Sequence, residues 1–182
     1  MEERKEMQRR DILAIFGASA AVSLASAAPA SAFSLFGKAA KNKISDGPVD
    51  NILVEKSKRR MFLRSGRDVV KAYHINLGFT PQGAKQFKND GRTPEGSYHI
   101  THRNPYSQYH LSLGVSYPSR ADRDFARRHG RDPGGDIFIH GTGQGPGWAR
   151  NDWTRGCIAV ADQEMEEIYK LVAPGCRITI KA

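Results

Sequence analysis

Cysteine is scarce in this chain: two thiols, Cys157 and Cys176, in 182 residues. That excludes a disulfide-dense scaffold, in which several bridges take the place of a core, and leaves open only a single Cys157–Cys176 bridge. There is no HExxH, no CxxC and no second cluster of ligand-type residues, so His99, His102 and His110 do not make a zinc signature. On a strand His99 and His102 would point to opposite faces, because side chains alternate. No metal or organic cofactor is called for. Long apolar runs are missing as well: the uncharged run Ile12 to Ala28 is rich in Ala and Ser, and is short for about 30 Å of hydrocarbon. No internal repeat is present, and no helix-turn-helix, finger or RNP pattern argues for nucleic acid. Acidic excess is missing too, with 19 acidic against 28 basic side chains and a net charge of +9.

What is present describes a globular protein: 39% hydrophobic and 26% charged residues, enough chain for one domain with a real core. Residues 1–32 read as an export signal. Arg9-Arg10 precede the mild apolar run, and Ala30-Ser31-Ala32 supplies a small-residue cleavage site. Arg9-Arg10-Asp11-Ile12-Leu13 resembles a twin-arginine signal, with the Sec route and an uncleaved anchor as alternatives. The expected location is therefore the periplasm or cell envelope, with no membrane span after cleavage. Four basic and four acidic residues lie in that segment, so the remainder keeps +9. A basic surface suits a polyanion; anionic cell-wall polymers and a merely solvated surface both fit. Residues 33–48 mix Gly, Lys, Ser and Ala without a period and read as a linker, and 49–182 as the folded domain.

Within that domain, strands are expected at 51–55, 60–64 and 69–77, a meander punctuated by a Lys/Ser/Arg turn and by Ser65-Gly66-Arg67-Asp68. Further strands are expected at 97–101, 110–117, 136–140 and 176–180. Asp122 to Arg128 fits a short basic helix. Asp162 is placed to cap a second helix over 163–172, with Glu164, Glu166 and Glu167 in its early turns. The fold class is mostly β with one or two short helices.

The chemistry concentrates between Gly135 and Val160. His140 ends the apolar run Ile137-Phe138-Ile139, and Cys157 sits in a Gly-Cys turn before a second apolar run. A thiol attacks as thiolate, of which little exists at neutral pH; an imidazole beside it can take the proton. Gly141, Gly143, Gly145, Pro146 and Gly147 give a connection able to fold the cysteine back on the histidine. Gly156 permits close backbone approach, so the amides of Gly156 and Cys157 can face a developing oxyanion. Either cysteine can instead be a buried structural thiol, and His140 a structural histidine.

His140-Gly141-Thr142 followed by Thr154-x-Gly156-Cys157 resembles the signature of the YkuD-type L,D-transpeptidases, which remodel bacterial peptidoglycan through a cysteine acyl-enzyme. Asp90-Gly91-Arg92-Thr93-Pro94-Glu95-Gly96, Asn104-Pro105-x-Ser107-x-Tyr109-His110 and Tyr117-Pro118 extend the likeness over roughly residues 50–181. Many members have His between the Ser/Thr and Gly, and Arg two residues after the Cys; here these are Arg155 and Ala159. Gly-Cys-Ile-Ala is more like the YafK-type branch, some of whose members hydrolyse peptidoglycan-linked amides.

The resemblance implies a β-sandwich-like catalytic domain, Cys157 as nucleophile, His140 as base and the Gly141 carbonyl as the group orienting the imidazole. It implies peptidoglycan stem peptides as substrate, with a D-amino acid, a second stem peptide or a protein as the amine acceptor. With water instead of an amine the same pair would act as an L,D-amidase or carboxypeptidase; a silent wall-binding module is the alternative outside enzymes. Arg155 can favour thiolate or hold a substrate carboxylate. His110 lies in a segment resembling the family's substrate-side strand. Trp148 and Trp153 flank the loop and can cover substrate or pack the loop, while Arg92, Thr93 and Glu95 are expected to serve a turn.

Overall fold

The computed structural model describes residues 48–143 and 151–182. The expected export signal and the linker up to residue 47 lie outside the described residues, as do Gly145, Pro146, Gly147 and Trp148. Among the described residues eight strands form one sheet in the order β3-β2-β1-β8-β4-β5-β6-β7, accompanied by two helices.

The expected meander is β1 (Asn51–Glu55), β2 (Arg60–Ser65) and β3 (Asp68–His74), each antiparallel to the next. Its second turn closes with Ser65 opposite Asp68, and Gly66 takes the positive φ of 58° that such a two-residue hairpin demands. Alternation then decides the faces. Ile52 and Val54 on β1, and Met61 and Leu63 on β2, are buried, while their neighbours turn outward. The same two-residue period places Ile178 and Ile180 of β8 (Arg177–Lys181) in the core. β8 runs parallel to β1, with Ile52 opposite Ile178, and separates β1 from β4.

β4 (Gly96–Ser107) is longer than the expected 97–101 because it serves two partners. Gly96 to His99 pair with β8. From Ile100 the strand pairs with β5 (His110–Val115), across register shifts that let it change direction. β6 (Phe138–His140) follows on β5, and β7 (Ile158–Ala159) lies parallel to β6. β3 stops at His74 rather than at 77, since Asn76 pairs with Ala159 of β7, exchanging hydrogen bonds of 2.8 and 2.9 Å. The two ends of the strand order are thereby joined.

α1 (Arg120–Arg128) starts two residues before expectation. Ser119 and Asp122 form a capping box, Asp122 N–H donating to Ser119 Oγ at 3.2 Å and Ser119 N–H to Asp122 Oδ2 at 2.8 Å. α2 (Asp162–Leu171) buries Met165 and Ile168. Its cap differs from the expectation. Ala161 occupies the N-cap, its N–H donates to Glu164 Oε2 at 3.1 Å, and Asp162 is the first helical residue with its carboxylate turned elsewhere. Among the described residues no helix is long and apolar enough to cross a membrane.

Candidate active site

The short parallel pair β6–β7 sets the site. Ile139 lies opposite Ile158, and both are fully buried in the core. By alternation, Phe138 and His140 on one strand and Cys157, just before β7, turn to the other face. His140 and Cys157 line one cleft of about 340 Å³, walled on the far side by Ser107, Gln108 and Tyr109 of the β4–β5 hairpin. Asp136 also lines it and is the one carboxylate there among the described residues.

His140 is 3% exposed. Its Nδ1 lies 2.6 Å from the Gly141 carbonyl oxygen. A carbonyl only accepts, so Nδ1 carries the proton and Nε2 is left as the basic nitrogen. The Tyr109 ring stacks at 4.7 Å between centroids, and Trp153 presents an edge at 5.7 Å. Burial pulls the imidazole pKa below its usual 6.5, opposed by the Gly141 hydrogen bond and by the Asp162 charge.

The Cys157 thiol donates to the Asp136 carbonyl at 3.4 Å. Burial pushes its pKa up, and the Asp136 carboxylate adds to this, against the lowering influence of the Phe138 N–H and of Lys85. Both shifts favour the uncharged forms, the thiol on Cys157 and the imidazole on His140. Cys157 and Cys176 are both free thiols, the second buried at the head of β8.

Backbone clamps position these groups. Gly156 has φ 129°, and a Cβ there would lie 2.6 Å from the Arg92 carbonyl oxygen, so no larger residue fits. The Gly156 amide, expected to face an oxyanion, donates instead to Thr154 Oγ1 at 3.1 Å; that hydroxyl donates to the Cys157 carbonyl at 2.7 Å. Asp152 receives Arg59 through Nε and Nη2 at 2.6–3.0 Å and the Leu77 N–H at 3.0 Å. This anchors the approach to Trp153. The Asp162 carboxylate accepts from Thr142 N–H at 2.5 Å, Thr142 Oγ1 at 3.1 Å and Gly143 N–H at 3.1 Å.

The other expected site residues fall in different places. Trp153 is half-buried against His140 and Tyr109, and its Nε1 has no partner among the described residues. His110 stands outside the cleft lining, with Nε2 3.1 Å from Glu166 Oε1. Arg155 is exposed and also outside it. Thr93 and Glu95, expected to serve a turn, tie distant segments together instead: Thr93 Oγ1 accepts the Gly78 N–H at 3.1 Å, and Glu95 receives buried Lys56 at 2.8 Å. The roles of Tyr109, Asp136, Asp152 and Asp162 at the site were not read from the sequence. Tyr109 belongs to the Asn104–His110 motif; the Asp152 and Asp162 carboxylates accept backbone amides and Asp136 lends its own carbonyl, none of which a side-chain pattern reveals.

A mostly β sheet with a thiol and an imidazole on one cleft wall defines the class. The L,D-transpeptidase catalytic domain (YkuD) matches residues 50–180, and the chain belongs to that family. Among solved structures, the helical cell shape determining protein Pgp2 from Campylobacter jejuni is similar at 23% identity and TM-score 0.60, covering 78% of this chain and 51% of that one. Bdellovibrio bacteriovorus Bd1075 is similar at 22% identity and TM-score 0.52, over 77% of this chain and 51% of its own. An L,D-transpeptidase from Mycobacterium smegmatis gives TM-score 0.51 at 12% identity, over 75% and 60%. This chain thus spans about half the length of Pgp2 and Bd1075, and the likeness is one of fold. No curated protein matches the chain.

Proposed function

We propose that this protein is an exported cysteine L,D-transpeptidase acting on peptidoglycan stem peptides. One observation carries the reading: Cys157 and His140 share a cleft wall while the Gly141 carbonyl holds the imidazole with Nε2 free. Cys157 sulfur attacks an amide carbonyl between an L-centre and a D-amino acid. Its proton passes to His140 Nε2, which returns it to the departing amine as the C–N bond breaks, leaving a thioester. An incoming amine then attacks the thioester and restores the thiol. The neutral resting pair suits this sequence, because proton removal and attack occur together rather than from a standing thiolate. With the Gly156 amide engaged, the Cys157 N–H is the donor proposed for the oxyanion.

A second reading, hydrolysis by the same pair, is favoured by a specific observation. Arg155 lies outside the cleft, Ala159 is buried where many transpeptidases carry arginine, and the cleft lining holds no cation among the described residues. A substrate carboxylate is then held less firmly, and water competes with the amine for the thioester. Incubation with a tetrapeptide muropeptide and a D-amino acid tests both: the exchanged peptide supports transfer, whereas only the hydrolysed product at saturating amine supports the amidase. Residues 1–32 are proposed to be the export signal. N-terminal sequencing of the envelope-located protein should return Phe33, and an intact N-terminus would refute cleavage.

A further inference from the structure

We propose that Asp162 is a positioning residue of this site: its carboxylate clamps the loop carrying the Gly141 carbonyl, and through that carbonyl decides which nitrogen of His140 is free to take a proton. The inference rests on the Cys157–His140 reading above.

Three hydrogen bonds converge on one oxygen, Asp162 Oδ1: the Thr142 N–H at 2.5 Å, the Thr142 hydroxyl at 3.1 Å and the Gly143 N–H at 3.1 Å. The same oxygen lies too close to Gly141 for a Cβ to be added there, so the carboxylate packs directly on the peptide after His140. A helix-capping role does not explain this, because Glu164 satisfies the N-cap amide of α2. As the first residue of a helix locked by buried Met165 and Ile168, Asp162 is a fixed point. The Gly141–Gly143 segment also packs on the β4–β5 hairpin, Gly141 against Tyr109 and Gly143 against Gln108. Gly141 N–H reaches Leu111 O at 3.3 Å, a long bond, and a glycine peptide rotates easily.

If the clamp is lost, the Gly141 carbonyl can leave Nδ1. The imidazole can then carry its proton on Nε2, facing the thiol with a donor where a base is required. A tautomer error of this kind is costly: in the serine-protease triad, neutralising the orienting carboxylate costs about 10⁴ in kcat. Asp162 also contributes its charge. His140 is faced by Asp162 from α2, by Cys157 and by the uncharged rings of Tyr109 and Trp153. Asp162 in turn feels His110 of β5, which Glu166 of α2 engages. The Asp162 charge raises the His140 pKa, so removing it moves the titration to lower pH.

The experiment compares Asp162→Ala, Asp162→Asn and Cys157→Ala on a muropeptide substrate, reading kcat, KM and the acid limb of kcat/KM. Asp162→Ala should lose about 10²-fold in kcat with KM within about threefold. Asp162→Asn keeps an acceptor oxygen and should recover kcat to within about tenfold of wild type, with its acid limb displaced to lower pH. If Asp162→Ala does not fold, Thr142→Val, which removes one of the three contacts, should lower kcat about two- to fivefold. Undiminished kcat in Asp162→Ala, an asparagine variant as impaired as the alanine one, or an unmoved acid limb in Asp162→Asn overturns the inference. Full activity of Cys157→Ala would instead overturn the proposed function on which it stands.

Discussion

The meander end and the site end of this domain are held by different forces. β1, β2 and β8 are stabilised by ladder hydrogen bonds and a two-residue alternation that buries Ile52, Val54, Leu63, Ile178 and Ile180. At the site end β6 is held to β5 and β7 by ladders of only three and two residues, and the geometry depends on carboxylates and hydroxyls gripping the backbone: Asp152 on Leu77, Thr154 on Gly156, Asp162 on Thr142 and Gly143. Burial is diffuse and tolerates loss by degrees. A clamp depends on single atoms, so its loss misplaces a functional group before it unfolds the protein.

Substitutions can break this contrast. The largest effect on function is expected for Cys157→Ala, with turnover down at least about 10³-fold and the thermal midpoint within about 2 °C of wild type. Leu63→Ala should do the reverse, costing about 2–5 kcal/mol of stability while turnover per folded molecule is retained; urea titration alongside kinetics checks it. Asp152→Ala tests the clamp idea between these extremes. It leaves Arg59, itself partly exposed, without its carboxylate partner and frees the Leu77 amide, for a stability loss of about 1–3 kcal/mol. Turnover should drop roughly tenfold as Trp153 loses its anchor.

The pH dependence sharpens the comparison further. Because burial lowers the His140 pKa, the acid limb of kcat/KM should lie below pH 6.5. Because burial raises the Cys157 pKa, alkylation of the apo thiol by iodoacetamide should still be climbing above pH 9. A Cys157 already alkylated rapidly at pH 6 would show a standing thiolate and refute the neutral pair. The smallest effect is expected for Glu166→Gln, which breaks only the half-exposed contact to His110. Stability should change by less than about 1 kcal/mol; a larger loss would mean that the site end relies on surface pairs as well as clamps.

β1, β2 and β8 were legible in the sequence because each buries one face, which leaves a period of two in the residue order. The mostly β class and both helices were readable too, and His140 and Cys157, which stand out in the sequence beside glycines, line one cleft. β4 was underestimated because its second half, from Thr101, turns mostly polar residues to solvent and has no apolar signal, although it pairs with β5. The cap of α2 was misassigned for a related reason. An aspartate before a helix offers the same sequence whether its carboxylate turns to the helix amides or to a loop 19 residues away, as Asp162 does toward Gly143. The Gly156 amide departs from expectation because Thr154, two residues earlier, offers it a hydroxyl acceptor.

The position of β8 bears on how the domain is made. It follows the other seven described strands in sequence yet lies in the interior of the sheet, between β1 and β4, with Ile52 waiting for Ile178 across 126 positions. Until that segment arrives, the inner edges of β1 and β4 have no partner, and an unpaired apolar edge is a template for pairing with other chains. Closing so long a loop is slow, since its entropy is lost before any ladder contact compensates. Assembly of the sheet is therefore gated by β8, and deleting Arg177–Lys181 should yield two unjoined fragments of sheet prone to aggregate rather than a slightly smaller domain.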